Sequence, residues 1–597
     1  MTEFLIANMA PLMFAALVFF LLLGYPVAFA LAANGIVFGL IGIELGLLAP
    51  SLFGAIPERI WGIMSNDTLL AIPFFTFMGL ILERSGMAED LLDTIGQLFG
   101  PIRGGLAYAV IFVGALLAAT TGVVAASVIS MGLISLPIML RYGYDRRVAS
   151  GTIAASGTLA QIIPPSLVLI IMADQLGRSV GDMYAGAFIP GFVLAGLYAG
   201  YIMLLSVVRP TWVPALPPEA RIYKEPDGSP GTRSLLVLVA IAVAAAAAVW
   251  MIYYPANRPT APTDEKIVIC ASVAIGIAWI VAMINKLTGL GLLSKIAERV
   301  VFVLIPPLAL IFLVLGTIFI GVATPTEGGA MGAAGALIMA VSRRRLSMSL
   351  MSQAMESTAK LTAFVVFILV GARIFSLTFY GVDGHRWVEH LLLDLPGGQV
   401  GFLIVVNILV FLLAFFLDFF ELSFIVVPLL GPVAEKLGID LIWFGVLLAV
   451  NMQTSFMHPP FGFALFYLRS VAPAKEFVDK VTKKLTAPVT TMQIYWGAVP
   501  YVIIQLIMVA LVIAFPQMVM VYKDDAPTVD PSKIQIDIPT MDAAPPVFES
   551  PAQPVPGAEG GAKEAPKSDD PLQDMLDRQQ EQSDKANDEL MNQLKGK

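Results

Sequence analysis

The sequence has little cysteine and little charge, and these two shortages exclude several classes of protein. Cys270 is the only cysteine, so a disulfide within the chain and a cluster of cysteine metal ligands are both impossible. Charged residues make up 13 % of the 597 residues, and no basic arm suggests nucleic acid as a partner. No glycine-rich turn is followed by Lys-Ser or Lys-Thr, so we do not expect an ATP site.

Motifs of membrane-embedded hydrolases are also missing from the sequence. There is no HExxH, no GxSxG with suitable partners and no pair of aspartates within one apolar run. A nucleophile with its base, or paired metal ligands at helical spacing, would be needed for such chemistry. We therefore do not expect an enzyme, and energy for any active transport would come from an ion gradient or a partner.

Apolar residues dominate what is present. They make up 57 % of the chain, and the mean hydropathy is +0.82. Apolar runs of about 20 residues, enough to cross a ~30 Å hydrocarbon core, recur along the chain. Residues 5–23 follow Glu3 without a Lys or Arg, which favours a first membrane helix over a cleaved signal peptide. The sequence predicts an all-α, polytopic membrane protein whose surroundings are the lipid bilayer.

Breaks and changes of composition divide the chain into six segments. These are N-terminal helices (1–104), a first unit (105–208), a loop with two further spans (209–299), a second unit (300–495), a final helix (496–522) and a tail (523–597). The acidic, Pro-rich tail is predicted to be disordered. Basic loops at 141–147, 209–233, 343–345 and 475–484 leave the membrane orientation open.

One pattern occurs in both units: a predicted helix hairpin followed by a helix broken at Pro-Pro. The hairpins are predicted at about 105–140 and 300–341, and the broken helices at about 148–175 and 441–470. The first copy contains Thr120, Thr121, Gly122, Gly157, Thr158, Gln161, Pro164, Pro165 and Ser166. The second contains Gly321, Thr324, Pro325, Thr326, Glu327, Asn451, Gln453, Thr454, Pro459 and Pro460. Corresponding breaks in two halves of a membrane chain indicate a transport site at the repeat interface.

The chemistry of these residues suits a sodium ion and a carboxylate. Freed carbonyls, hydroxyls and side-chain amides supply neutral oxygens for a dehydrated cation. The half-helix that begins near Ser166 or Phe461 directs the positive end of its dipole at an anion. The alternative is that Pro, Gly and Thr are ordinary kink and packing residues; two matched breaks favour the site.

Four ionisable side chains lie in or beside apolar runs, where a charge at the bilayer centre costs about 2.5 kcal/mol or more. They are Glu327, Arg373, Asp418 and Glu421. Arg373 could bind a substrate carboxylate, and Asp418 could bind a cation or hold hairpin backbone; alternatively these two pair and lock two helices together. Glu327 is more simply explained as a helix cap. His458 is interpreted as a packing or hydrogen-bonding residue.

Several segments together resemble the large membrane subunit (DctM-like, or M subunit) of tripartite ATP-independent periplasmic (TRAP) transporters. They are Ile72–Phe75, Leu80–Gly86, Gln161–Ser166, Ala323–Glu327, Asn451–Gln453 and His458–Gly462. The resemblance covers about 1–208 and 300–521. It implies an elevator-type fold with inverted repeats, two re-entrant hairpins and two broken helices, located in the bacterial inner membrane.

The resemblance also implies partners, substrate and coupling ion. A small four-helix membrane (Q) subunit and a periplasmic substrate-binding (P) protein would complete the system. Substrates would be small organic acids, such as C4-dicarboxylates, imported with Na⁺ as coupling ion; no transition metal and no other cofactor is implied. The hairpin tips would lie near Thr120–Gly122 and Thr324–Glu327, with Arg373 and Asp418 in the moving part.

This sequence departs from the family pattern at three places. Thr120-Thr121-Gly122 stands where Ser-Gly-Ser is common, residues 209–299 are an insertion, and the acidic tail is extra. A self-sufficient sodium–dicarboxylate symporter of related fold is the alternative function. The sequence does not reveal the substrate or the roles of the insertion and the tail.

Overall fold

The structure is a computed structural model that describes residues 2–121, 124–223, 231–259, 261, 263–289, 291–415, 417–479 and 482–522. Gly122 and the tail predicted to be disordered (523–597) lie outside the described residues, and of Thr120 and Thr121 only the backbone is described.

Helices form nearly all of the regular structure. In the first half they are α1 (Thr2–Ala7), α2 (Met9–Leu22), α3 (Val27–Glu44), α4 (Ile56–Met64), α5 (Ala71–Arg84), α6 (Met87–Phe99), α7 (Gly105–Thr121), α8 (Val124–Arg141), α9 (Arg146–Thr158), α10 (Leu167–Leu176) and α11 (Val180–Val208). The insertion contributes α12 (Thr232–Ala248), α13 (Tyr254–Asn257) and α14 (Thr263–Thr288).

The second half contains α15 (Lys295–Phe319), α16 (Pro325–Ser342), α17 (Met348–Gly381), α18 (Gly384–Leu393), α19 (Gly398–Leu413), α20 (Phe419–Ile425), α21 (Val427–Lys436), α22 (Leu441–Met452), α23 (Phe463–Val471), α24 (Thr491–Ala514) and α25 (Gln517–Met520). Short strands β1 (Phe477–Val478) and β2 (Leu485–Thr486) pair antiparallel between α23 and α24.

The predicted all-α, polytopic architecture is confirmed. Among the described residues, 8 helices are long and apolar enough to cross a membrane, or up to 10 if each of two bent helix pairs counts as one span. The first predicted hairpin is confirmed as α7 and α8, and both predicted helix breaks are present, between α9 and α10 and between α22 and α23.

One order of elements occurs in each half: a short amphipathic helix, a hairpin, a broken helix and a long span. In the first half these are α6, α7–α8, α9–α10 and α11. In the second half they are α18, α19–α21, α22–α23 and α24. The preceding helices pack crosswise, α5 against α16 and α3 against α17. The second hairpin is therefore at Gly398–Lys436.

The two hairpins open towards opposite ends of the molecule. The base of the first is closed by the Leu106 amide, which donates to the Tyr144 hydroxyl (3.2 Å). The base of the second is closed by the Gln399 amide, which donates to the Leu437 carbonyl (2.6 Å). Each broken helix ends against the hairpin of the other half, since α10 contacts α20 and α21 while α23 contacts α8. This arrangement is an inverted repeat.

The prediction of a re-entrant hairpin at 300–341 is wrong in position. The 25-residue α15 is long enough to span the membrane, and the turn after it lies at a surface. There Glu327 is exposed and the Thr326 hydroxyl donates to the Asp67 carbonyl. Asp67 neighbours Asn66, which donates to Asp174 at the outer end of α10 (2.6 Å). Thr-Pro-Thr-Glu marks a helix start, and such a start occurs at a surface as readily as inside a membrane.

The fold gathers the basic loops at one end of the molecule, called here the basic end. Residues 141–147, 209–223, 343–345 and the 475–479 and 482–484 parts of the last loop contribute to it. Contacts that join its loops link Arg141 with Asp479, Asp145 with Trp212, Gln97 with Ala220, Arg299 with Asp93, and Arg343 with Asp90. At the opposite end, cations pair with carboxylates: Arg178 with Glu435, Arg258 with Glu265, and Lys436 with Glu389.

The two extra spans of the insertion pack on one side of the second half. Helix α12 packs against α14, and α14 packs against α15. A Cβ placed on Gly316 of α15 would lie 2.8 Å from the Val268 side chain, so these two helices approach closely. Only 11 % of the apolar window of each extra span is buried inside the chain. The insertion therefore adds a mostly exposed apolar wall beside α15.

Candidate functional site

The first break lies in the interior of the molecule. Helix α9 ends at Thr158, a 3₁₀ turn covers Leu159–Gln161, and a turn and bend lead through Pro164 and Pro165 to α10. All of these residues are buried. The Ser166 hydroxyl donates to the Gln161 carbonyl (2.6 Å), which satisfies one acceptor freed by the break.

Gly157 allows α8 to approach this break. A Cβ there would lie 2.3 Å from a methyl of Val128 and 3.2 Å from the Val128 backbone nitrogen. On the other side, a Cβ on Gly114 of α7 would lie 2.6 Å from the Cβ of Ser156 and 3.0 Å from its carbonyl oxygen. Both arms of the first hairpin thus pack directly on the end of α9.

The second break has the same form but is less enclosed. Helix α22 ends at Met452, and a 3₁₀ turn covers Gln453–Phe456. Asn451, Gln453 and Thr454 are buried, whereas Pro459 is half-buried and Pro460 is exposed. The Thr454 hydroxyl donates to the Asn451 carbonyl (2.6 Å). The peptide bonds Pro164–Pro165 and Pro459–Pro460 are both cis.

A buried polar network joins the two breaks. The Gln453 amide of the second break donates to the Thr158 hydroxyl of the first (3.1 Å). Gln505 of α24 donates to the Tyr198 hydroxyl of α11 (2.9 Å) and lies 3.5 Å from the same Thr158 oxygen. Side chains from both repeats therefore meet at Thr158.

Several buried polar atoms around the breaks have no hydrogen-bond partner among the described residues. They are Ser156 Oγ, Gln161 Oε1 and Nε2, Asn451 Oδ1, Gln453 Oε1, Ser455 Oγ and Gln505 Oε1. Leaving such an atom unpaired costs about 1–3 kcal/mol. Most of these atoms are neutral oxygens, which together with break carbonyls are suitable ligands for a hard monovalent cation. The two amide hydrogens of Gln161 could donate to an anion.

The tip of the second hairpin lies against the second break. The Asn451 amide donates to the Asn407 carbonyl and side-chain oxygen (2.7 and 3.0 Å). The His458 ring is buried between Phe411 and Phe415, with ring centroids 4.2 Å away in each case. This agrees with the packing interpretation of His458.

Asp418 caps the helix that follows this tip. Its carboxylate accepts from the Glu421 amide (3.0 Å), and the Glu421 carboxylate accepts from the Asp418 amide (2.9 Å). Asp418 thus holds hairpin backbone, one of the two roles suggested by the sequence. Within the described ranges no ion pair joins it to Arg373.

Two groups of predicted site residues lie away from the breaks. Arg373 is exposed on α17, which packs on α3 and α5, so the structure does not bring it to the network. Gly321, Thr324, Pro325, Thr326 and Glu327 lie at the surface turn between α15 and α16. There Thr324 and Glu327 form a capping box, which confirms the capping interpretation of Glu327.

Sequence reasoning missed three polar residues of the site. Asn407, Ser455 and Gln505 are buried beside the breaks. Asn407 and Gln505 are amides within apolar helices, and that contrast is the signal that could have identified them. Among the described residues, no group of three or more His, Cys, Asp or Glu side chains could hold a metal ion.

Comparison with known proteins identifies the family. Residues 14–518 match the family model for the DctM component of tripartite ATP-independent periplasmic transporters. The chain belongs to this family. A relative from Pseudomonas aeruginosa, the C4-dicarboxylate TRAP transporter large permease protein DctM, is 26 % identical over 71 % of this chain and 82 % of its own length. The protein of the same name from Vibrio cholerae is 27 % identical over 82 % of this chain and 95 % of its own length.

Another relative differs in architecture and substrate. The isethionate TRAP transporter permease protein DctMQ of Oleidesulfovibrio alaskensis is 24 % identical over 80 % of this chain and 63 % of its own length. The chain is therefore a multi-pass TRAP transporter large permease of a family that serves several substrates, and the family implies a periplasmic binding protein, a small membrane partner and the bacterial inner membrane.

Proposed function

We propose that this permease subunit imports a small organic acid, such as a C4-dicarboxylate, driven by a sodium gradient. The observation that carries the proposal is the cluster of unpartnered polar atoms where the two breaks meet. The acid is delivered by a periplasmic binding protein, and a small membrane subunit completes the assembly. The hairpins, the broken helices and the two spans packed on them, α11 and α24, move together, as an elevator, against the remaining helices.

Sodium coupling is supported by the donor set. Side-chain oxygens of Asn451, Gln453 and Gln505 are neutral and buried. Neutral oxygens compensate a dehydrated monovalent cation without fixing the net negative charge that divalent ions favour. Hydroxyls of Thr158 and Thr454 belong to the same set, and the sequence pattern alone predicts Thr120, Thr121 and Gly122 as further members.

Anion binding is supported by the half-helices that leave each break. Helix α10 has 10 residues and α23 has 9, so each presents a real helix N-terminus in the middle of the molecule. Such a terminus favours a carboxylate. The Gln161 amide hydrogens, which have no partner among the described residues, supply hydrogen bonds beside it.

The orientation of the chain in the membrane is inferred from the distribution of charge. Lys and Arg residues are concentrated in cytoplasmic loops of membrane proteins, so we place the basic end in the cytoplasm. The opposite end, where α10 ends and α22 begins, then faces the periplasm and the binding protein.

Reconstitution in liposomes tests this function. The chain and its small subunit are inserted into vesicles, and uptake of C4-dicarboxylates loaded on the matching binding protein is measured with and without an inward sodium gradient. Uptake that requires both sodium and the binding protein supports the proposal. Uptake without the binding protein supports the lone symporter, and uptake with a proton gradient alone contradicts sodium coupling.

A further inference from the structure

A long apolar groove lies between the transport helices and the inserted spans. Its volume is about 930 Å³, and its walls are α7, α11, α14 and α15. Ile163 and Pro164 of the first break form part of its lining. The insertion supplies a wall through Ile267, Val268 and Ala271, so the groove depends on residues that we describe as inserted.

The polar side chains of the lining are found at one end of the groove. Tyr108 is in the first turn of α7 and Ser206 in the last turn of α11. Arg103 lies just before α7, is exposed, and has no ion pair or hydrogen bond within the part of the chain that the structure describes. This end is the basic end, because the Gly104 amide donates to the Val213 carbonyl (2.9 Å) beside Trp212.

The length of the groove fits a lipid chain. Its lining on α11 runs from Phe188 to Ser206, which is about 27 Å at 1.5 Å per residue. One leaflet contributes about half of a ~30 Å hydrocarbon core. A chain of one leaflet's depth that enters beside Arg103 therefore fits within the groove, which continues beyond it towards Ile163.

We propose that the groove binds an anionic phospholipid of the leaflet at the basic end. Its phosphate contacts Arg103, and an acyl chain lies between α7, α11, α15 and the inserted α14. Two observations select a lipid: the lining is apolar, and its cation is at one end only. Basic sites between membrane helices on the cytoplasmic side, where the proposed function places this end, suit anionic headgroups. The bound chain would cover the apolar faces of α7 and α11 on the side of the basic end.

Native mass spectrometry of the full-length purified protein tests the site. Delipidated protein is titrated with phosphatidylglycerol or phosphatidylcholine, and retained lipids are counted. Gly196 of α11 lines the groove, and a Cβ there meets nothing within 4 Å, so Gly196→Trp fills the groove without a backbone clash. Gly276 of α14 is also open but lies outside the lining, and Gly276→Trp is the matched control.

Wild type and Gly276→Trp are expected to retain one phosphatidylglycerol that Gly196→Trp loses. Arg103→Gln, a surface change that leaves the groove intact, should reduce the preference for phosphatidylglycerol over phosphatidylcholine by about fivefold. Equal retention by Gly196→Trp and wild type would overturn the proposal. In a parallel measurement on the chain co-purified with its small subunit, loss of that subunit rather than of lipid from Gly196→Trp would also overturn the proposal, because the occupant would then be a protein helix.

Discussion

The two broken helices share a sequence pattern but are held in different ways. Around the first break, helix backbones meet: a Cβ on Gly151 of α9 would lie 2.0 Å from the Gly497 carbonyl oxygen of α24. In the second broken helix the corresponding glycine, Gly445 of α22, meets side chains of α10 and α11 instead, and Pro460 and Phe461 are exposed. Backbone contact through glycine leaves no freedom to adjust, whereas side chains can repack. The first break is thus the fixed side of the site, and the second is the side able to rearrange.

The largest effect is expected from a methyl group added to the first broken helix, compared with one added at the corresponding position of the second. Gly151→Ala places a Cβ against the backbone of α24. It should lower the free energy of unfolding by at least about 1–3 kcal/mol, the typical penalty of overpacking. Gly445→Ala of α22 meets only the ends of the Met183 and Leu176 side chains, at 2.7 and 2.9 Å, and should cost much less. Thermal unfolding in detergent measures both. Equal losses would contradict the fixed-versus-adjustable comparison.

Removing an amide from either break should reduce transport. Gln161→Leu and Gln453→Leu are each expected to reduce sodium-dependent uptake by about tenfold or more, corresponding to a loss of ~1.4 kcal/mol of binding. Gln161→Leu should not destabilise the protein, because both of its amide atoms are unpartnered among the described residues. Gln353→Leu, at an exposed amide far from the breaks, is the control. Normal uptake by both variants would show that the site lies elsewhere.

Thr158→Val tests the contact that joins the repeats. The change keeps the side-chain shape but leaves the Gln453 amide without its acceptor, which should cost about 1–2 kcal/mol of stability. Thr317→Val is the control, since among the described residues the Thr317 hydroxyl bonds only to carbonyls of its own helix. If both variants melt at the same temperature, Thr158 does not join the repeats energetically.

The smallest effects concern two capping boxes with the same geometry in different places. Thr324→Ala and Asp418→Ala should each lose about 1 kcal/mol of cap stability. Only Asp418→Ala should also change uptake, because its cap is at the hairpin tip beside the second break. Uptake assays of the two variants distinguish loss of a helix cap from loss of a site contact. An uptake defect in Thr324→Ala alone would indicate that the turn between α15 and α16 is a hairpin tip after all.

The sequence located the broken helices because Pro-Pro flanked by Gly and Thr cannot continue a helix inside an apolar run. It failed for the second hairpin, since the tip between α19 and α20 has neither Gly nor Pro and looks like a continuous apolar stretch. The hairpin tip was predicted at Thr324–Glu327 instead, because a helix-capping sequence has the same composition as a helix break.

The sequence could not predict which side chains contact each other, for a different reason. The contact between Gln453 and Thr158 joins residues 295 positions apart, and the inverted packing that brings them together is not encoded in local pattern. The prediction that Arg373 belongs to the site was wrong for a similar reason. The sequence shows an arginine within an apolar run, but it does not show whether that face of the helix is exposed or covered by other helices.

Sodium-dependent stabilisation tests the central claim, that both breaks form one cation site. Melting temperatures of wild type, Thr158→Val and Gln453→Leu, which each change one member of the proposed sodium set, are measured in NaCl and in KCl at equal ionic strength. Sodium at ten times its Kd stabilises a binding protein by about 1.4 kcal/mol. We predict that wild type melts higher in sodium than in potassium and that each variant loses this difference. A sodium shift that persists in both variants would contradict the account.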